Sequence, residues 1–169
     1  MKKLVLILLL CFVALNILIG CGKQTSEPTQ ISQTVAIGNP WSNWTSIGEA
    51  EDAVGFSFGF PEVIANNFTA SAFRTMNNEL LEVIYRDGEY EIRVRKQTGE
   101  GQDISGDYNQ YDKCTEKTID GGIITYYHNS GNSAVKQLIS YNGYSWSLVA
   151  LNGYGEDSDW DFANEIIQN

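Results

Sequence analysis

Apolar and polar positions alternate with a period of two along much of the chain's second half, and that alternation predicts strands. In "YEIRVRK", Tyr90, Ile92 and Val94 fall on one face and Glu91, Arg93 and Arg95 on the other. "LLEVIY" places Leu81, Val83 and Tyr85 together, and "AVKQLISY" and "YSWSLVAL" flank Asn142-Gly143 as the best hairpin in the chain. Turn signals recur at 77–78, 87–88, 120–122, 130–132 and 142–143, where Asn-Gly and Asp-Gly supply the positive φ angles of tight hairpins. The period changes at both ends. "TSIGEAEDAVGF" reads as a short helix: Ser46 and Glu49 form a capping box, Ile47, Ala50 and Val54 share a face, and Gly55 ends it. "EDSDWDFANEIIQN" reads as a second helix, with acids in its first turn and Trp160, Ala163 and Ile167 on one side. Pro61 marks "FGFPEVIANNF" as a connector without strands. The pattern predicts an α+β domain over 39–169. Its antiparallel meander of about six strands has one buried and one wetter face, and both helices cover one face.

The first twenty residues follow another pattern. Lys2 and Lys3 precede an apolar run broken only by Asn16, and the chain turns polar directly after Cys21. A charged start and an apolar centre describe a secretory signal peptide, although the run is near the length of a membrane-spanning helix. "LIGC", Leu18 to Cys21, resembles the lipobox of bacterial lipoprotein precursors. That resemblance implies cleavage before Cys21 and a diacylglyceryl thioether on its sulfur, with palmitate-type acyl chains in the membrane. Each buried methylene contributes about 0.8 kcal/mol, and stable anchoring takes two chains, a condition that a diacylglyceryl group meets. The expected address is the outer face of a bacterial cytoplasmic membrane. Residues 21–38, rich in Gln, Thr and Ser, read as a flexible linker, of which residues 23–38 span roughly 50 Å when extended. The sequons "NWT" and "NFT" are expected to be silent in a bacterium.

Charge and cysteines narrow the function classes. The net charge is −10; without Lys2 and Lys3, 9 basic residues face 21 acidic ones, or −12. Such a domain repels phosphate, so no nucleic acid partner is expected. Of the three cysteines, Cys11 leaves with the signal peptide and Cys21 carries lipid. Cys114 is then without an intramolecular partner, and no disulfide framework follows.

No catalytic constellation emerges. His128 is the single histidine, read as a solvated turn residue, and no nucleophile elbow accompanies it. Cys114 stands among charges of both signs and reads as inert. Asp157, Asp159 and Asp161 mimic the start of a calcium loop, but Phe162 and Gln168 occupy the required Gly and Glu positions. No metal, no cofactor and no enzymatic activity are expected. Trp41 and Trp44 in "NPWSNW" read as closing one end of the core. "RVRKQTGEGQDISGDYNQY", 93–111, is the most individual stretch, because a loop this long without regular structure is often functional. Arg93, Arg95, Asp103, Asp107, Tyr108 and Tyr111 are its candidate ligand- or partner-binding residues. The plain alternative is a self-satisfied loop whose carboxylates meet the strand arginines.

"NPW", "EAEDAVGFSFGFPE", "LLEVIYRDGEYEIRVRK" and "DISGDYNQY", in this order after a lipobox, resemble a family of uncharacterised extracytoplasmic domains of clostridial and related Gram-positive bacteria. The resemblance covers about residues 39–150. It implies an antiparallel α+β fold and carries no activity for any residue. Such domains occur as small lipoproteins and as the outer part of membrane-anchored anti-sigma-factor-like proteins. The length leaves no room for a cytoplasmic sigma-binding segment, so a complete anti-sigma factor is not expected. The expected function is a lipid-anchored, non-enzymatic surface domain that binds a ligand, or a protein or cell-wall partner. The alternatives are a small cell-wall-active hydrolase using surface carboxylates and a purely structural envelope component.

Overall fold

A computed structural model describes residues 38–59, 61–64, 67–129 and 135–151. Every described residue belongs to one unit, which begins at Gly38. The expected signal peptide, Cys21, the expected linker up to residue 37, the turn expected at 130–132 and the expected C-terminal helix lie outside the described residues.

The alternating segments form one open antiparallel sheet. In chain order the elements are β1 (Trp41–Trp44), α1 (Ile47–Val54), β2 (Val63–Ile64), β3 (Phe68–Met76), β4 (Leu80–Asp87), β5 (Tyr90–Thr98), β6 (Lys113–Ile119), β7 (Gly122–His128), β8 (Lys136–Tyr141) and β9 (Tyr144–Ala150). The spatial order is β1-β3-β4-β5-β9-β8-β7-β6, and β2 joins the edge of β3 beyond β1. The expected simple meander of about six strands is therefore corrected. Two meanders, β3–β5 and β6–β9, meet through β5 and β9, and the described sheet has nine strands. The chain leaves the sheet after Thr98 because residues 99–112 lack alternation. It re-enters at the far edge, about 19 Å away at the usual strand spacing.

Turn chemistry sets the hairpins as expected. Asn142 and Gly143 both have positive φ, 51° and 81°, and join Tyr141 to Tyr144. Asn77 and Asn78, at 54° and 55°, do the same between β3 and β4. Such paired left-handed residues match the right-handed twist of the strands they connect.

Register divides the side chains between two faces. One row runs Leu81, Lys96, Trp146, Ile139 and Ile124, and the next runs Val83, Val94 and Leu148. These residues are buried, and α1 lays Ala50 on this side with Ile47 and Val54 beside it. Each fully buried aliphatic side chain contributes roughly 1.5–3 kcal/mol, so this face holds the core. The helix is capped much as the sequence predicts. Ser46 Oγ accepts from the Glu49 amide at 3.3 Å, and the Gly55 amide donates to the Glu51 carbonyl at 2.8 Å with φ at 76°. The second half of the capping box differs: the Glu49 carboxylate accepts from the Thr45 amide and hydroxyl, at 3.0 and 2.7 Å.

Two further expectations change. Val63 and Ile64 form a short strand directly after Pro61, because a two-residue pairing on a sheet edge needs nothing from the proline nitrogen. Trp41 and Trp44 lie on a strand, so their spacing of three sends them to opposite faces. Trp44 joins the core and its indole N–H donates to Thr75 Oγ1 at 3.0 Å, whereas Trp41 lies on the other face.

Candidate functional site

The second face of the sheet is polar and basic in an acidic chain. All four arginines, Arg74, Arg86, Arg93 and Arg95, stand on it within β3, β4 and β5. Two glutamates divide them into triads. Glu82, 0% exposed, accepts from Arg74 Nε at 2.5 Å and from Arg95 Nε at 2.7 Å. Trp41 caps this triad, its ring 4.6 Å from the Arg74 guanidinium and 5.2 Å from that of Arg95. Glu91 holds the outer triad, accepting from Arg86 Nη2 at 2.7 Å and from Arg93 Nε at 2.8 Å. Burial pushes the Glu91 carboxyl up, but the hydrogen bonds and charges of the two arginines outweigh it and hold it below the usual range.

Residues 99–112 form a strap across this face. The Gly99 amide donates to the Gly143 carbonyl at 2.8 Å. Buried Ser145 Oγ accepts from the Gln102 amide at 3.0 Å and donates to the Gly99 carbonyl at 2.7 Å. Asp103 then folds the strap on itself, accepting from the Ser105 amide at 3.0 Å and its hydroxyl at 2.6 Å. Lys136, buried on β8, donates to Asp103 Oδ2 at 2.7 Å and to the Asp107 carbonyl at 3.1 Å. Burial raises the Asp103 carboxyl, but the bonds from Lys136 and Ser105 overcome it and leave the carboxyl below its ordinary value. Gly106 lets the strap close on β5: its φ is 63°, and a Cβ there would stand 2.4 Å from Arg95 Nη1. Arg95 Nη1 in turn donates to the Ile104 carbonyl at 2.9 Å.

An open groove of about 720 Å³ runs beside the strap, with Arg93, Arg95, Asp107, Asn109, Tyr111 and Val149 among its lining residues. Four of the six candidate residues thus face one concavity. Asp103 lines a second groove of about 380 Å³ on the other side of the strap, and Tyr108, 96% exposed, lines neither. Asp107 accepts from the Asn109 amide at 3.0 Å and from the Tyr111 hydroxyl. Burial, and next to it the Asp107 carboxylate, raise the Tyr111 pKa, and its ring meets Tyr127 at 5.6 Å. The plain alternative is corrected in its partners. Asp103 and Asp107 meet Lys136 and their own loop, while the arginines meet Glu82 and Glu91 from the strands.

Sequence reasoning missed Lys136, Glu82 and Trp41, the residues that build this face. Glu82 left a signal: it is a lone acid inside the apolar run "LLEVIY", one strand before the basic alternation of "YEIRVRK". Elsewhere, His128 ends β7 beside the Tyr126 ring, and Cys114 is exposed on β6. Among the described residues no group of three or more His, Cys, Asp or Glu is placed to hold a metal ion.

No protein-family model, no curated protein and no solved structure matches the chain.

Proposed function

We propose that this chain is a lipoprotein of the bacterial cell surface whose domain binds a ligand or partner in the groove beside the strap, without catalysing a reaction. Residues 1–20 direct export, Cys21 carries the lipid, and residues 21–38 tether the domain to the outer face of the membrane. The lipobox-like "LIGC" and the run before it support the address. One observation carries the binding reading: Asp103 and Asp107 are spent on holding the strap, while among the described residues Arg93 and Arg95 on the groove wall keep terminal nitrogens without an acceptor. A hydrolase using two carboxylates needs one of them raised by burial. The described carboxyls whose pKa moves, Glu49, Glu91 and Asp103, all move down.

The address is tested by expressing the full chain and Cys21→Ala in a Gram-positive host fed an alkyne-bearing fatty acid. The wild type should take the label and sediment with membranes, and the variant should do neither. Equal labelling of both would overturn lipidation at Cys21.

A further inference from the structure

We infer that the groove takes the free C-terminal carboxylate of a short peptide ending in an aliphatic residue. The inference rests on the reading of the groove as a ligand site and adds the chemistry of the ligand. Four arginines face two glutamates on β3–β5, and Asp107 adds a third carboxylate on the groove wall, a local surplus of one positive charge (4 − 3) on a chain of net charge −10. The surplus is available at the groove. Arg93 is 35% exposed and uses its Nε on Glu91, and among the described residues its two terminal nitrogens have no acceptor. Arg95 Nη2, two residues along the same face, is in the same state. A guanidinium with both terminal nitrogens open is the donor fork that fits a carboxylate in bidentate fashion. The acidity of the rest of the chain repels polyanions, so a ligand with a single negative charge is favoured.

The other walls fit a peptide end. Val149 and Leu151, the latter 46% exposed, offer aliphatic surface beside Arg93 for a final side chain. Asn109 and Asn129 bring side-chain amides, each a donor and an acceptor, suited to a peptide backbone. A sugar ring would want an open aromatic platform. The one aromatic side chain among the groove's described lining residues, Tyr111, sets its ring against Tyr127 instead.

The test uses the full-length chain in detergent and fluorescein-labelled Gly-Gly-Ala-Val-Leu, as the free acid and as the C-terminal amide, read by fluorescence anisotropy. The acid should bind saturably and the amide about tenfold or more weakly, the loss expected for a charge-assisted contact. Arg93→Ala should lose about the same factor for the acid, with an unchanged melting temperature because Glu91 keeps Arg86. Equal affinity of acid and amide, or undiminished binding of the acid to Arg93→Ala, would overturn the inference. Arg93-dependent binding of labelled glucuronic acid, without binding of the peptide acid, would overturn the peptide and leave the groove reading intact. Binding of none of the probes would overturn both.

Discussion

Lys96 and Lys136 stand on opposite faces of one sheet, both nearly buried and both beside aromatic rings, yet their charges are held differently. Lys136 has a carboxylate, Asp103, at 2.7 Å, with the Tyr127 ring 4.9 Å away. Among the described residues Lys96 has none in contact. Its ammonium donates to the Ser57 and Phe58 carbonyls at 2.5 and 3.4 Å and lies over the rings of Tyr144 and Trp146, at 4.3 and 4.4 Å. Burial pushes the Lys96 pKa down to about 8, with the Glu51 charge opposing the shift. The helix face is thus a core that tolerates one charge by ringing it with carbonyls and aromatic faces. The strap face is an ionic layer in which each buried charge has an opposite partner. Only the second arrangement leaves donors over at its rim, and so the groove belongs to that face.

The sharpest way to break this contrast is Glu82→Ala. The change strips the counter-charge from Arg74 and Arg95 together, and breaking one side of a buried ionic cluster costs about 3–5 kcal/mol. Urea unfolding of wild type and variant measures it. A cost below about 1 kcal/mol would mean that water reaches the guanidinium groups and replaces Glu82 as their partner.

Next in size is a pH effect confined to the other face. The folded-state pKa of Lys96, about 8, lies below its ordinary value of 10.5. Between these limits the unfolded chain binds more protons, so stability rises with pH through this window and is reduced below it. From pH 7.5 to 10 the gain should be about 2 kcal/mol. It should vanish in Lys96→Met, which has no proton to lose there. A wild-type curve as flat as the variant's over this range would show that the carbonyls and rings fully replace the lysine's hydration.

The two faces also differed in how far they could be read from sequence. The apolar one was legible because Leu81, Val83, Ile92, Val94 and Leu148 obey period two. Helix α1 was legible because Ser46, Ala50 and Gly55 give start, face and stop. The strand order was not legible. "YEIRVRK" pairs as well with "YSWSLVAL" as with the next strand in the chain, and nothing local shows that residues 99–112 cross four strand spacings. The candidate site was half legible. Glycine, Asp103 and Asp107 announced a shaped strap, but its anchor Lys136 lies 33 residues beyond Asp103. Arg93 and Arg95 were visible as a polar face, and Glu91 holds Arg93 from two residues away on the same strand; that Glu82 would claim the Arg95 Nε follows only from the register of β4 on β5.

The smallest effects compare how the cover of each face is tied down. On the helix side, Ser46 Oγ serves one exposed amide, that of Glu49, which water can take over. Ser46→Ala should therefore cost about 1 kcal/mol, as for an ordinary helix cap. On the strap side, Ser145 Oγ is buried and serves two backbone groups at once, the Gln102 amide and the Gly99 carbonyl. Ser145→Ala strands both where solvent is scarce, and a single stranded buried polar group costs roughly 1–3 kcal/mol. The strap variant should be the less stable of the two in parallel urea titrations. Its amides at 99 and 102 should also exchange hydrogen faster, while those of α1 keep their protection. The reverse order of stabilities would mean that the strap rests on the sheet by its other ties, Lys136–Asp103, Arg95–Ile104 and Gly99–Gly143 among them, with the serine carrying no load.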